Sequence, residues 1–509
     1  MRRSLLLDGR SLTLEDVEAV ARGRSIRVAL SDGAREAVAA SRAFIEAKVA
    51  RGDRVYGVTT GFGRLADVVI APEERTQLQH NLVRSHASGM GEPLDADAVR
   101  AIMILRANAL ARGHSGCRVE VVERLLELLN HGIHPRVPRY GSVGASGDLA
   151  PLAHVALALL GEGRAERGGR EAPTGELLAE EGLEPLHLEA KEGLSLINGT
   201  QATTGLGILA LLAAERALET LEVAGAMSLD ALLGTPEAFR AEIQEARPHR
   251  GQGASAARLR ALLAGSEIRE SHRSGDPRVQ DAYALRCMPQ VHGAARDALG
   301  YVRGVLEVEA NSATDNPLVF PEADAVVSGG NFHAQVVAQA LDFLAIAVAD
   351  LAAISERRIE RVLNPDLSMG LPAFLTERPG LRSGLMIAQV AAVDALAEMR
   401  VLAHPASVDS VTTSANQEDH VSMGLAAARK ARQAVACLEQ VVATELLCAA
   451  QGLEYRRPMR SSPPVERAHA LVRERVAALH EDRELGSDLS ALVELVRSGA
   501  LERIAKEAT

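Results

Sequence analysis

The sequence predicts a mainly α-helical protein, a long-helix bundle with a smaller mixed region at its N-terminal end. Apolar residues recur at helical spacing along most of the 509 residues. Two segments, 336–354 and 435–450, are apolar on nearly every face. Because a helix that is apolar all round is buried all round, these two predict the core of a large bundle, or of a bundle completed by other subunits.

The composition argues against several classes of function. The net charge is −11 and aromatic residues make up only 2% of the chain, which argues against a nucleic-acid partner because neither a basic surface nor stacking rings are supplied. Carboxylates interrupt the most apolar run, so we expect no membrane span. The four cysteines are scattered and no secretory signal is recognisable. We therefore expect a cytoplasmic protein.

The predicted helices follow in chain order. Apolar periodicity predicts helices over 97–111, 119–129, 203–221, 333–363, 385–402 and 422–451. Gly132 is a plausible stop for the second of these, and Asn364-Pro365 closes the fourth.

Strand signals are few. Alternating apolar residues predict a strand over 26–30, and 163–173 predicts a small hairpin that turns at Gly168-Gly169. The proline- and glycine-containing stretches 247–255 and 456–464 predict loops. We place a domain boundary near residue 200, which gives an N-terminal domain, 1–200, and a helical bundle, 201–509.

Three polar loops are rich in glycine: 56–63, 141–148 and 328–333. None has the lysine and hydroxyl residue of a phosphate-binding loop, and none follows a clear strand, so a phosphate site is excluded. Most such stretches in proteins are ordinary tight loops. The second loop is a stronger candidate for a functional site than the other two, because it contains Ala-Ser-Gly.

The tripeptide Ala145-Ser146-Gly147 can cyclise on itself. The Gly147 nitrogen attacks the Ala145 carbonyl carbon, and loss of water, including the Ser146 hydroxyl, leaves an exocyclic methylene on an imidazolone. Glycine allows the close approach of the nitrogen, and only a β-hydroxyl residue can leave the methylene behind. The product is an electrophile that ordinary side chains do not supply.

The segment Gly141–His154, G-S-V-G-A-S-G-D-L-A-P-L-A-H, resembles the signature of the aromatic amino-acid ammonia-lyases and aminomutases. These enzymes use a methylidene-imidazolone electrophile. The resemblance extends from about Leu5 to Leu501. Further matching stretches are 56–63, 194–201, 279–291, 315–332 and 405–424.

The resemblance implies an ammonia-lyase (fumarase/aspartase-like) fold, a homotetramer whose active sites are shared between subunits, and an amino-acid substrate. It also implies a 4-methylidene-imidazol-5-one made from Ala145, Ser146 and Gly147. No diffusible cofactor and no metal are expected.

Roles for individual side chains also come from the resemblance. Tyr56 is the expected base that removes the substrate β-proton, and Arg286 is expected to bind the substrate carboxylate. The remaining expected site residues are Asn198, Gln280, Tyr283, Phe332, Gln417 and Glu418.

The ring of the substrate is indicated by Ser85-His86 and Gln417-Glu418, which resemble the histidine branch of the family. Histidine is therefore the expected substrate, deaminated to urocanate. Thr59, Thr412 and the stretch 397–400 depart from that branch, and some tyrosine aminomutases carry the same Ser-His pair. A tyrosine ammonia-lyase or aminomutase is the alternative.

Two other function classes fit the sequence less well. A helical scaffold that has lost the reaction is disfavoured because Ala145-Ser146-Gly147, Tyr56 and Arg286 are all present. A metal hydrolase is disfavoured because no His-Glu-x-x-His occurs and the histidines lack metal-ligand spacing.

Overall fold

A computed structural model describes residues 3–23 and 25–508 of the chain. The helices in the first part are α1 Leu14–Ala21, α2 Asp32–Ala50, α3 Arg75–His86, α4 Ala96–Ala111, α5 Val119–His131, α6 Leu149–Leu159, α7 Thr174–Glu180, α8 Glu192–Ile197 and α9 Gln201–Ala231. Those that follow are α10 Ala241–Glu245, α11 Arg250–Leu263, α12 Glu267–Ser271, α13 Tyr283–Arg286, α14 Met288–Ala310, α15 Gln335–Leu363, α16 Met386–Leu402, α17 Gly424–Glu454, α18 Pro463–Arg475, α19 Gly486–Arg497 and α20 Ala500–Glu507.

The strands of the described residues are short. They are β1 Arg3–Leu7, β2 Ile26–Leu30, β3 Met90–Pro93, β4 His134–Pro135, β5 Pro138–Tyr140, β6 Arg164–Arg167, β7 Arg170–Pro173, β8 Leu318–Phe320 and β9 Ala325–Val327. β1 and β2 pair in parallel, β3 pairs with β5, and β8 with β9. β4, β6 and β7 form a three-stranded antiparallel sheet.

The mainly helical prediction is confirmed, and so are its individual helices. Helix α5 ends where expected, because Gly132 adopts a left-handed φ of 70° and its N–H donates to the carbonyls of Leu128 and Leu129. Helix α9 runs ten residues further than its predicted end, to Ala231. The strand over 26–30 and the hairpin at Gly168-Gly169 are also present.

The prediction of a loop over 247–255 is wrong. Helix α11 begins at Arg250 and includes Gly251 and Gly253. A Cβ atom at Gly251 would overlap the carbonyl oxygen of Gly293. The glycine is therefore present because the backbone of α11 packs closely on that of α14, and this packing outweighs the low helix propensity of glycine.

The chain divides into two compact units. The first comprises the chain up to Leu209 together with Arg303–Asp342 and Pro405–Arg429. Helix α4 is its central element and is buried from Ala101 through Ala111. The boundary drawn near residue 200 stays a prediction.

The second unit comprises Ala210–Val302, Phe343–His404 and the chain from Lys430 onward. Parts of α9, α14, α15 and α17 form its core. Arg358 on α15 donates to both oxygens of Glu445 on α17, at 2.6 and 2.8 Å, and both side chains are fully buried. Ser228 on α9 donates to the same carboxylate at 2.8 Å. Polar contacts thus tie three core helices together.

Three helical segments are long and apolar enough to cross a membrane by length and composition: Glu192–Ala231, Gln335–Leu363 and Gly424–Glu454. Protein buries 94%, 61% and 83% of their most apolar windows, respectively. They are therefore core helices of this fold, as the all-round apolar faces of 336–354 and 435–450 predicted for the second and third of them.

Candidate active site

A cavity of about 530 Å³ in the first unit brings together seven of the residues singled out from the sequence. They are Tyr56, Ala145, Ser146, Asn198, Phe332, Gln417 and Glu418. The volume suits a small organic ligand, since ligand cavities commonly fall between about 300 and 1,000 Å³. Three separate chain segments of this unit supply the polar groups, so the cavity is a product of the fold and not of one loop.

Ser146 is hydrogen-bonded through both its side chain and its main chain. Its hydroxyl donates to Oε1 of Glu418 at 2.6 Å, and its carbonyl oxygen accepts a hydrogen bond from Nδ2 of Asn198 at 2.8 Å. Asn198 is only 3% exposed, and its Oδ1 has no partner among the described residues. That oxygen can therefore accept a hydrogen bond from a ligand, which would relieve the penalty of an unpaired buried acceptor.

The glycines of the Ser146 loop are required by its packing. Gly147 has a φ of 79°, and a Cβ atom there would overlap the backbone of Gly199. Gly144 has a φ of 68°, and a Cβ atom there would overlap the hydroxyl of Ser422. Both positions need the left-handed conformation that glycine adopts freely. The loop is consequently locked between two segments far away in sequence.

Asp148 anchors the end of this loop. Its carboxylate accepts hydrogen bonds from the Ser142 hydroxyl at 2.8 Å and from the hydroxyl and backbone N–H of Thr203 at 2.9 and 2.7 Å. Its own N–H donates to the carbonyl of Gly199 at 2.6 Å. Burial raises the pKa of Asp148, and these hydrogen bonds oppose the rise. Asp148 thus joins the start of α6 to the start of α9.

Tyr56 lies in a tight turn at the cavity wall. Its phenol oxygen accepts the N–H of Gly63 at 2.9 Å, and its ring meets that of Phe62 edge to face at 6.4 Å. The buried Thr59 stabilises the turn, since its hydroxyl accepts from the Val55 N–H and donates to the Asp53 carbonyl. The role of Thr59 is thus confined to the backbone of the turn.

His86 is the last residue of α3, and its ring is half-buried. Nδ1 lies 2.9 Å from the carbonyl oxygen of Leu82, which can only accept, so Nδ1 carries the proton. Burial lowers the pKa of His86, while Leu82 and the charge of Glu418 act in the opposite direction. The lowered pKa favours the neutral ring at pH 7, and in that form Nε2 is an acceptor.

Gln280, Tyr283 and Arg286 lie together in the second unit, where they line a cavity of about 340 Å³. The guanidinium of Arg286 stacks over the Tyr283 ring at 4.7 Å, and Tyr283 is 70% exposed. Nε of Arg286 is buried without a hydrogen-bond partner among the described residues. Its donors are therefore available to an anion, for which the arginine fork is well shaped.

Comparison with known proteins decides the family. A family model described as aromatic amino acid lyase matches residues 12–474. The chain belongs to the aromatic amino acid lyase family. The prediction of a carbon–nitrogen lyase in this family is thereby confirmed.

Relatives of this lyase match along almost the whole chain. A histidine ammonia-lyase of Anaeromyxobacter sp. strain K is 55% identical over 507 residues, which cover 98% of this chain and 99% of that relative. The crystal structure of histidine ammonia-lyase from Trypanosoma cruzi superposes with a TM-score of 0.93 at 44% identity, covering 99% and 96% of the two chains. Tyrosine aminomutase from Streptomyces globisporus gives a TM-score of 0.94 at 40% identity, covering 99% of each. The predicted ammonia-lyase fold is therefore confirmed.

The residues around Ser146 fit the electrophile that this lyase family implies. Gly147 is packed where only glycine can stand. The serine hydroxyl, which must be lost, and the serine carbonyl, which becomes part of the ring, each have a polar partner. Asn198 also offers one unpaired buried oxygen beside them.

Two supporting residues were not predicted from the sequence. The Thr413 hydroxyl donates to Oε2 of Glu418 at 2.7 Å. The fully buried Arg106 donates to the carbonyls of Asn198 and Ser195. Thr413 gives no signal in the sequence. Arg106 gives one, since an arginine in the middle of the otherwise apolar α4 needs buried partners.

Proposed function

We propose that this protein eliminates ammonia from L-histidine to give trans-urocanate, using a methylidene-imidazolone made from its own Ala145, Ser146 and Gly147. The observation that carries the proposal is the cavity in which Ser146, Asn198, Glu418 and Tyr56 meet. The group would supply an electrophile that takes up the substrate amine and makes it a better leaving group.

Tyr56 would act as the base that removes the β-proton of the substrate. Such a base must be held close and aimed, because the β-proton is weakly acidic. The Gly63 N–H fixes the phenol oxygen at 2.9 Å and supports negative charge on it. Phe332 and Gln417 line the same cavity. The substrate ring would pack on Phe332, and Gln417 would offer a polar contact.

Arg286 would bind the substrate carboxylate through two parallel hydrogen bonds. Tyr283 stacks on its guanidinium and limits its rotation, and Gln280 supplies a further polar group in the same cavity. In this assignment Arg286 sets the position of the amino acid, so its loss would weaken binding as well as turnover.

Histidine is favoured over tyrosine by the chemistry of His86. A neutral His86 ring presents Nε2 as an acceptor, which suits the N–H of an imidazole. Glu418, which lines the Ser146 cavity and whose charge acts on His86, supplies a second acceptor. Thr59 does not weaken this assignment, because its hydroxyl is used within the Tyr56 turn. The 55% identity to a histidine ammonia-lyase, against 40% to a tyrosine aminomutase, supports the same choice.

We further propose a cytoplasmic homotetramer with shared active sites. Helix α16 supports an oligomer, since its side chains Ile387, Val390, Val393 and Val401 are between 43% and 71% exposed. An unpartnered row of this kind marks an interaction surface. The cysteines, Cys117, Cys287, Cys437 and Cys448, are all free, which suits a reducing compartment.

The deciding experiment supplies L-histidine and L-tyrosine in parallel, with EDTA present, and identifies products by chromatography. We expect urocanate from histidine and no product from tyrosine.

Ser146→Ala should fold and lose at least about 1,000-fold in kcat, because the electrophile cannot form. His86→Leu should raise the KM for histidine. Coumarate or β-tyrosine from tyrosine, without urocanate, would overturn the proposal.

A further inference from the structure

The partners of Ser146 suggest a task that precedes catalysis. Making the electrophile requires the loss of two waters. One carries away the Ala145 carbonyl oxygen with the amide protons of Gly147 and Ser146. The other carries away the Ser146 hydroxyl with the Ser146 Cα proton. The second loss breaks a carbon–oxygen bond of an ordinary alcohol, which is a poor leaving group without a proton donor.

The second dehydration can be written with atoms and electrons in balance. The Cα–H electron pair of Ser146 becomes the Cα=Cβ bond, and the Cβ–Oγ pair leaves with oxygen. Oγ departs as water with its own proton and one delivered through the carboxyl group of Glu418. Glu418 donates in its acid form, and the proton released from Cα returns to its carboxylate, so no oxidant, reductant or net proton is needed.

Glu418 is placed for this transfer. Its Oε1 lies 2.6 Å from the Oγ that must leave, a distance typical of a strong hydrogen bond. On the other side of Ser146, Nδ2 of Asn198 donates to the carbonyl oxygen at 2.8 Å. That contact supports the negative charge that develops on the carbonyl as the Cα proton departs. Both ends of the dehydration therefore have a partner.

Thr413 orients Glu418. The Thr413 hydroxyl donates a hydrogen bond to Oε2 of Glu418 at 2.7 Å, so that Oε1 is the oxygen that faces Ser146. The backbones of the two residues exchange hydrogen bonds of 2.9 and 3.4 Å. Between them Ser414, Ala415 and Asn416 all have a left-handed φ, of 50°, 50° and 68°. Three consecutive non-glycine residues in that region persist only where their surroundings hold them, so the turn is a fixed support.

We propose that the Thr413–Glu418 pair drives the dehydration of Ser146, so that Thr413 is a positioning residue for the maturation of the electrophile. The inference rests on the proposed function, because it assumes that the tripeptide cyclises. It adds a step that occurs once in the life of each chain, separate from turnover.

The first test follows maturation by intact-protein mass spectrometry after cell-free synthesis of the full chain. Wild type should lose two waters. Glu418→Gln keeps a hydrogen-bonding group but cannot pass a proton, so we expect it to remain one water heavier, with the last loss slowed about 100-fold or more. Loss of both waters at the wild-type rate, or retention of both, would overturn the assignment.

The second test compares two adjacent threonines. Thr413→Val removes the hydroxyl that fixes Glu418 and should slow the last water loss, and Thr413→Ser should restore it. Thr412→Val is the matched control, since that side chain is exposed, and it should mature like wild type. Equal rates for Thr413→Val and Thr412→Val would contradict the role of Thr413. Recovery of maturation in Thr413→Ser would show that the effect of Thr413→Val comes from the hydroxyl and not from misfolding, so this comparison stands even where Glu418→Gln does not fold.

These outcomes separate the two proposals. A wild-type chain that loses two waters but leaves histidine unchanged contradicts the proposed substrate and leaves the maturation scheme intact. Variants that mature normally beside an active wild type contradict only the Thr413–Glu418 assignment. A wild-type chain that loses no water contradicts both.

Discussion

His134 shows how one buried imidazole makes stability depend on pH. Burial, and then the positive charge of Arg100, lower the pKa of His134 to about 4. Nη1 of Arg100 lies 2.9 Å from Nε2 of the ring, and Nδ1 is buried without a partner among the described residues. Since the unfolded chain takes up this proton near pH 6.5 and the folded chain near pH 4, acid favours unfolding over that interval.

We therefore expect the His134 ring to reduce the free energy of unfolding by about 2 kcal/mol between pH 7.5 and pH 5. Urea unfolding of His134→Gln at both pH values should show a smaller difference than wild type. His480→Gln, in which an exposed ring is removed, controls for the loss of one titrating group. An unchanged difference in His134→Gln would show that the ring is not the source.

At the scale of elements, the Arg358–Glu445 pair joins α15 to α17. Glu445 also accepts hydrogen bonds from Ser228 and from Ser355, at 2.8 and 2.6 Å. Nη1 of Arg358 further donates to the carbonyl of Ala284 at 3.4 Å, within α13. The pair thus supports both the helix core of the second unit and the short helix that carries Tyr283 and Arg286.

Arg358→Met should destabilise the protein by about 3–5 kcal/mol, because Glu445 would remain buried without its charge partner. Adding Glu445→Gln to that variant should recover part of the loss. Arg273→Met is the matched control, since Arg273 and its partner Glu270 are 71% and 60% exposed and exposed pairs contribute about 1 kcal/mol at most. Chemical unfolding measures all three variants. Equal effects of Arg273→Met and Arg358→Met would refute the argument.

The helices were predictable because their signals are local. Helix α5 combines a regular apolar stripe with a glycine stop at Gly132, so both its face and its end could be predicted. Helix α11 was missed because Gly251 reflects contact with α14, and a contact between elements leaves no periodic pattern in either one. Propensity therefore failed where tertiary packing decides the residue type.

At the scale of the whole molecule, the site depends on contacts between distant segments. Ser146 and Glu418 are 272 positions apart, and no spacing rule connects them, so their pairing was accessible only through the family resemblance. Thr413 remained unnoticed because its contact with Glu418 arises from three left-handed residues, a conformation that no composition signal reveals. The residue types of Ala145-Ser146-Gly147, by contrast, allow the cyclisation to be written from the sequence, although only the surrounding family motif makes the tripeptide a specific signal.

The proposed sharing of active sites predicts complementation between inactive chains. Ser146→Ala lacks the electrophile, and Arg286→Met lacks the carboxylate partner, so each should be inactive alone. Co-expression should restore histidine turnover, because mixed tetramers can assemble sites with both intact groups. In the control, two copies of the same variant are co-expressed, and no activity should return. If differently tagged chains of the two variants purify together as tetramers that are nevertheless inactive, each site is built from a single chain.

The first unit is discontinuous, and this has a consequence for the order of synthesis. The ribosome releases Ser146 long before Pro405–Arg429, the last segment of that unit. If Glu418 performs the dehydration as proposed, the hydroxyl of Ser146 stays intact while more than half of the chain is still being made, and a chain that stops before Thr413 keeps its serine. On this scheme the electrophile forms only on polypeptides translated beyond Glu418, and its mass signature records synthesis past that residue.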